Sequence, residues 1–280
     1  MVKLVSWNMA HREEAWRFLL DFLLDGDADV ALLQEAVPPP ADVAVRLKVD
    51  SSPWETAGAG VDRPWRTAVV GLTDRVEVDH LEAMSLPEAP YRGLAVSRPG
   101  TLAAALVKPR DGEPFYAVSM YAVWETPHEC TRSEWIFADG SVHRLISDLS
   151  GLIGQQTGHR IVAAGDLNIY RGYGERASGY WAGRYETVFA RMAALGLPFV
   201  GPQAPNGRPA DPRPPELPEG SANVPTYHTN RQTPATASHQ LDFVFASSGL
   251  AERIEVVALN DPERERWGPS DHCRVEMELA

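Results

Sequence analysis

The stretch Ile161-Val162-Ala163-Ala164-Gly165-Asp166-Leu167-Asn168 decides how this chain is read. Four small or β-branched apolar residues predict a short buried strand, and the glycine predicts its end. Asp166 and Asn168 stand two positions apart, so an extended backbone sets both on one face. A carboxylate beside a neutral amide can hold an attacking water and hydrogen-bond an anionic oxygen without repelling it, the combination that phosphate-ester cleavage needs. The same tetrapeptide, Gly165 to Asn168, also reads as an ordinary strand-to-turn junction with Asx capping.

Other apolar runs end in the same manner. Lys3-Leu4-Val5-Ser6-Trp7 ends in Asn8, Asp29-Val30-Ala31-Leu32-Leu33 in Gln34-Glu35, and Phe115 to Met120 in Tyr121. Gln240 to Phe245 carries Asp242 inside an otherwise apolar strand, and Ser270-Asp271-His272 leads into an amphipathic run from Cys273 to Leu279. With Trp7-Asn8, Gln34-Glu35, Gly165-Asp166-Leu167-Asn168, Leu241-Asp242-Phe243 and Ser270-Asp271-His272 in this order, the sequence resembles the endonuclease/exonuclease/phosphatase superfamily. That superfamily includes pancreatic-type deoxyribonucleases, apurinic endonucleases, sphingomyelinases and inositol polyphosphate 5-phosphatases. The five motifs run from residue 7 to residue 272, nearly the whole chain. The resemblance implies an α/β fold, a β-sandwich of two mixed sheets flanked by helices in four layers, α/β/β/α.

Composition sets bounds without choosing a function. A chain of 280 residues, 44% hydrophobic, can bury roughly three quarters of its unfolded surface in one core, which predicts a single domain over 1–280. No run approaches the roughly 18 uncharged apolar residues of a membrane span, and the N-terminus lacks a secretory pattern, so a cytoplasmic address is expected, with no membrane partner and no obligate protein partner. Two cysteines, Cys130 and Cys273, are too few for a disulfide framework or a thiolate metal site, though one bridge stays open. A net charge of −12 argues against a protein that coats nucleic acid by neutralising phosphates, but not against a nuclease whose acidic groups gather around a cation. Lysine occurs only at Lys3, Lys48 and Lys108, and the remaining basic residues are Arg. Arg is the better bidentate phosphate ligand, although a GC-rich coding sequence produces the same bias.

Along the chain, a strand Val2 to Asn8, a helix from about Arg12 to Leu24 with Ala15, Phe18, Leu19, Phe22 and Leu23 on one face, and a strand Val30 to Gln34 predict a right-handed crossover between parallel neighbours. Runs at 67–72, 76–81, 93–96, 102–107 and 115–120 read as a meandering sheet. Helices are expected at 141–153 and 185–195, and strands at 224–228, 240–246, 254–259 and 274–279. Residues 201–223, rich in Pro and Gly, read as an irregular surface loop.

The resemblance also implies roles. Glu35 becomes the main ligand of Mg²⁺ or Mn²⁺, which keep several waters and take one or two carboxylates, with Asn8 and Asp271 completing the metal environment directly or through water. His272 becomes the phosphate-contacting histidine and Asp242 the carboxylate that orients it. An Asp inside an apolar strand needs a partner in any case. Asp166 orients or deprotonates the attacking water, Asn168 donates to the phosphoryl oxygens, and Tyr121 contacts phosphate or the leaving group, or else is a packed aromatic with a wet hydroxyl. The remaining seven histidines read as surface or structural.

Past Asn168, the aromatic and Arg residues between Tyr170 and Arg184 suit base stacking and phosphate contact, with Arg171, Tyr173 and Arg176 as substrate-binding candidates, or they cap the sheet edge. The leading expectation is therefore a divalent-metal-dependent phosphodiester hydrolase, an endo- or exonuclease with nucleic acid as substrate. A phosphatase for a small or lipid-headgroup phosphate and a non-catalytic binding module on the same fold are the alternatives.

Overall fold

Runs such as Val30-Ala31-Leu32-Leu33 and Ile161-Val162-Ala163-Ala164 are apolar at every position, which is stable only where both faces of a strand are covered. Both are buried throughout. The computed structural model describes residues 1–24, 28–56, 63–87, 93–155 and 157–280, apart from the side chains of 22–24, so the expected apolar positions Phe22 and Leu23 lie outside the described residues.

Strands β1 (Val2–Asn8), β2 (Val30–Ala36), β3 (Lys48–Val49) and β4 (Arg66–Gly71) are followed by β5 (Val76–His80), β6 (Ala83–Ser85), β7 (Leu94–Val96) and β8 (Leu102–Pro109). Then come β9 (Phe115–Tyr121), β10 (Ile161–Asp166), β11 (Phe199–Gly201), β12 (Asp242–Ala246), β13 (Ile254–Ala258) and β14 (Val275–Leu279). One six-stranded sheet has the order β13-β14-β1-β2-β4-β3, a second β11-β12-β10-β9-β8-β5, and β6 pairs β7 apart from both. β1 and β2 are parallel, joined through the Glu14–Leu24 helix, and β9 and β10 are parallel within the second sheet.

The two-residue period of a strand divides the core into three layers. Leu4, Leu32, Val69, Ala117, Val162 and Val244 face inward between the sheets. Their sequence neighbours Val5, Leu33, Ala68 and Val70 face outward onto Trp16 and Leu19 of the first helix. On the other side Val118, Ala163, Phe243 and Phe245 meet Leu145 and Leu149 of the helix Asp139–Leu149 and Tyr185 and Phe189 of the helix Gly179–Ala194. The result is the α/β/β/α sandwich. Each fully buried Leu or Phe contributes about 1.5–3 kcal/mol, and the stacking leaves the strand ends of both sheets free to meet at one rim.

Several expected elements differ. Residues 66–121 do not form one meander, because β4 pairs β2 in the first sheet while β5, β8 and β9 pair in the second. Apolar alternation gives a strand its faces but not its partner. No strand forms at 224–228: Pro225 has no donor, and the N–H groups of Thr226 and His228 go to the separate carbonyls of His239 and Asp271, so this segment ties the ends of the two sheets together. The second long helix begins at Gly179 rather than 185, because the Ser178 side chain caps the N–H of Trp181. Of the stretch 201–223, Gly201 closes β11 and residues 202–223 carry neither helix nor strand. Cys130 is exposed and Cys273 buried, and both are free thiols. Among the described residues no helix is long and apolar enough to cross a membrane.

Candidate active site

Gly165 lies at φ +154°, where a Cβ would fall 1.9 Å from the Met120 carbonyl oxygen. Glycine alone lets β10 run this close to β9. The ladder then ends with Asp166 opposite Tyr121 on one side and Asp242 on the other, so three chemistry-bearing residues converge by register. Asn168 does not continue the strand. At φ +49° it is left-handed, and its N–H donates to Asp166 Oδ1 at 2.9 Å, closing an Asx turn. The convergence of Asp166 and Asn168 thus comes from the turn and not from strand alternation. Asn168 Nδ2 donates to the Ala122 carbonyl at 2.9 Å, which fixes the amide.

Asp166 is also held from the other sheet. Asn8 Nδ2 donates to Asp166 Oδ2 at 2.9 Å, while Asn8 Oδ1 accepts the Ala10 N–H at 2.9 Å. Both ends of Asn8 are therefore engaged, and the residue positions Asp166. His272 Nδ1 lies 2.8 Å from Asp242 Oδ2 and its Nε2 lies 3.8 Å from Asp166 Oδ2, with all three side chains buried. The Ser270 hydroxyl donates to the Asn8 carbonyl at 2.6 Å and accepts the His272 N–H at 3.0 Å, and Trp7 Nε1 donates to the His272 carbonyl at 3.0 Å. The turn bearing His272 is thereby bolted to the end of β1. Asp271 is half-buried beside it.

Glu35 sits in a register shift between Leu33 and Ala36 that breaks the β2–β4 ladder. Its φ is +48°, and such a bulge re-aims a side chain out of the sheet. The carboxylate accepts the Tyr121 hydroxyl and lies 2.9 Å, Oε2 to Nε2, from His11. The His11 ring lies tilted against Trp65 at 4.7 Å, and Trp65 meets Tyr121 edge-on at 5.1 Å. His11 and Trp65 are site residues that the sequence alone did not reveal. Their nearest signal is position, since His11 follows Asn8 by three residues at the mouth of β1. Tyr227, 4.8 Å from the His272 ring, is a third.

The charges balance unevenly. Burial acts to raise the Glu35 carboxyl, but the hydrogen bond and charge of His11, with Tyr121 and His272, hold it below the ordinary value. Burial, reinforced by the charges of Asp242 and Glu35, pushes Asp166 up to about 8 against the pull of His272. For His272 burial favours the neutral ring, yet the charges of Asp242, Asp166 and Asp271 and the Asp242 hydrogen bond raise it to about 10. Burial and the charges of Glu35 and Asp166 keep the Tyr121 hydroxyl protonated well beyond the usual range. At neutral pH the site thus holds a charged imidazole and a protonated phenol among carboxylates.

The donor set fits a hard divalent cation. Oxygen ligands dominate the rim, and the burial that lifts Asp166, added to by the charges of Asp242 and Glu35, disfavours a negative charge that a cation would stabilise. Among the described residues no three His, Cys, Asp or Glu side chains form a closed metal cage.

The three substrate-binding candidates separate. Tyr173 is buried, stacked on Tyr170 at 4.7 Å. Arg171 packs over Phe199 at 4.4 Å and reaches Asn223. Only Arg176 is exposed, with its guanidinium 5.0 Å over Trp135. Tyr173 thus packs inside the fold and Arg171 is partly buried against the edge strand β11. An unbroken path of ring contacts runs from His272 through Tyr227, His239, Tyr170, Tyr185 and Trp181 to Trp135.

Residues 5–272 match the model of the Endonuclease/Exonuclease/phosphatase family, and the chain belongs to that family, whose members are typically hydrolytic phosphoesterases. No curated protein matches the sequence. Among solved structures, an AP endonuclease from Leishmania major is similar at TM-score 0.64 and 15% identity, covering 99% of this chain and 87% of that one. An AP endonuclease from Archaeoglobus fulgidus gives TM-score 0.61 and 16% identity over 100% and 99% of the two chains. A 3'-5' exonuclease from Neisseria meningitidis gives 0.58 and 18% over 99% of each. At these identities the likeness establishes the shared fold.

Proposed function

We propose that the protein is a divalent-metal-dependent phosphodiester hydrolase acting on nucleic acid. The observation that carries this reading is the line Asp242–His272–Asp166, in which a buried imidazole stands between two carboxylates, 2.8 and 3.8 Å away, at the rim that also holds Glu35. Asp166, elevated toward neutrality, takes a proton from a water aimed at phosphorus. The charged His272 ring, turned by Asp242, presents Nε2 to the non-bridging phosphoryl oxygens as negative charge builds. The Tyr121 hydroxyl, protonated and donating to Glu35 in this structure, is placed to turn from that carboxylate and donate to the departing oxygen. Water enters in line with that oxygen, and no covalent intermediate forms. Glu35 would hold Mg²⁺ or Mn²⁺, which would supply Lewis-acid polarisation of the phosphoryl oxygens.

The nucleic-acid reading is supported by an aromatic shelf around the start of the helix Gly179–Ala194, which the buried ring of Tyr185 links to the rings beside His272. Trp135 and Trp181 lie 6.0 Å apart, with Arg176 over Trp135 and Arg184 over Trp181, and Tyr180 beside them is 68% exposed. Exposed aromatic faces suit stacked bases, and Arg176 suits their phosphates, while Arg184 is held in place by Asp139. Plasmid, single-stranded DNA, RNA, nucleotide and inositol phosphate substrates, each with Mg²⁺, Mn²⁺ or EDTA, test the proposal. Metal-dependent cleavage of a polynucleotide is expected. Hydrolysis confined to small phosphates would replace the nuclease by a phosphatase, and no hydrolysis of any substrate would leave a binding module.

A further inference from the structure

We infer that His11 is a second protein ligand of the site's divalent cation, beside Glu35, and that it turns the site toward first-row transition ions and away from Mg²⁺. The inference rests on the reading that Glu35 holds a cation.

The first ground is distance. His11 Nε2 and Glu35 Oε2 are 2.9 Å apart. Two cis ligands of an octahedral ion, each about 2.1 Å from it, are separated by about 3.0 Å. The pair thus already has the spacing of one edge of a coordination shell, with the ion's place lying to one side of the line along which the two side chains now hydrogen-bond.

The second ground is how much backbone is committed to that edge. Ala10, His11 and Glu35 have φ of +50°, +58° and +48°, a conformation non-glycine residues seldom take. Asn8 Oδ1 holds the Ala10 N–H, and the His11 N–H donates to the Glu35 carbonyl at 3.1 Å, so the two loops are stitched together where the side chains meet. Unfavourable dihedrals in contact with one another persist where the surroundings over-determine them, and they gather at functional sites. The His11 ring is also clamped on Trp65 at 4.7 Å, which leaves it little freedom to swing off Glu35.

The third ground is access and chemistry. The His11 side chain is 46% exposed while that of Glu35 is 15% exposed, so the edge opens to solvent and to the waters a divalent ion keeps. An imidazole nitrogen is a poor ligand for Mg²⁺, whose preference is for oxygen, and a good one for borderline transition ions. A site of one carboxylate, one imidazole and water therefore favours Mn²⁺, Co²⁺ or Zn²⁺ over Mg²⁺ more strongly than a carboxylate and water alone.

Pulsed electron paramagnetic resonance of the intact protein loaded with Mn²⁺, together with calorimetric titration of Mn²⁺ and Mg²⁺, tests this without reference to turnover. Directly bonded ¹⁴N should appear in the Mn²⁺ spectrum of wild type and vanish in His11→Ala. That variant should lose Mn²⁺ affinity by about tenfold or more while its Mg²⁺ affinity changes far less, and His11→Asp should move the preference toward Mg²⁺. Equal loss of both ions in His11→Ala would overturn the inference, since a residue that only orients Glu35 acts alike on every ion. A nitrogen signal absent from wild type, or persisting in His11→Ala, would overturn it too. Failure of wild type to bind either ion would instead remove the Glu35 metal site on which the inference stands. Circular dichroism of each variant separates ligand loss from unfolding, and the wild-type spectrum decides the question if a variant does not fold.

Discussion

Asp242 Oδ2 and His272 Nδ1 meet at 2.8 Å, although the two residues are 30 positions apart. Asp242 opens β12 next to Asp166, and His272 is carried to it by a turn bonded to Asn8 and Trp7. The contact fixes which ring nitrogen points at Asp166 and keeps that ring charged.

Because the two residues act through one imidazole, Asp242→Ala, His272→Ala and the double variant should each lose activity by about 100-fold or more, with the double close to the worse single. Steady-state kinetics on one substrate measures this. Losses that multiply would show two independent roles.

The pH profile follows from the same site. Asp166 works as a base only when ionised, so activity rises with pH as it loses its proton, at or below about 8 since a bound cation adds positive charge. His272 works as a cation, so activity falls as pH rises through about 10. Removing the Asp242 charge lowers that second value, so Asp242→Asn should move the falling limb to lower pH. The stability contribution has the same sign: a histidine raised from about 6.5 when unfolded stabilises the fold fully below that pH and loses the contribution as pH passes its folded value. An unmoved falling limb in Asp242→Asn would exclude His272 as its source.

Gly165→Ala should be damaging despite its small size. The added methyl meets the Met120 carbonyl at 1.9 Å, so β9 and β10 must part, costing about 1–3 kcal/mol or more and displacing Asp166 from Tyr121. Urea denaturation and kinetics together read the effect. Wild-type stability with wild-type activity would contradict the role given to this glycine.

Arg176→Ala combined with Trp135→Ala should weaken a polynucleotide substrate strongly, since base–aromatic stacking contributes about 1–3 kcal/mol per base. Hydrolysis of bis-nitrophenyl phosphate should change little. Tyr173→Ala, by contrast, should lower stability, because its ring is buried against Tyr170. Equal loss on both substrates in the double variant would place the shelf in the catalytic centre or the fold.

The parts of this site that could be read from the sequence are those carried by local order. Gly165 to Asn168 and Ser270 to His272 announce themselves as polar clusters beside apolar runs, and the family resemblance that the five motifs carry implies the sandwich. Partner choice is not local. Nothing in 66–121 says that β4 crosses to the first sheet, since its Val-rich pattern suits either. His11 stayed hidden because its meaning lies in a left-handed loop after β1 that brings it to Glu35 on β2, and no periodicity encodes that. Tyr173 and Arg171 show the complementary difficulty, since an aromatic or Arg near a motif has the same letters whether it faces solvent or packs at an edge.

Hydrolysis by Glu35→Gln tests the central claim most directly. Assayed on a polynucleotide with Mn²⁺, with Mg²⁺ and with EDTA beside wild type, the variant should fold normally and lose about 100-fold or more, the order expected for a Lewis acid contributing several kcal/mol. Wild type should be inactive in EDTA and recover when the metal is restored. Full activity of Glu35→Gln, or of wild type in EDTA, would contradict a metal-dependent phosphoester hydrolase built around this rim.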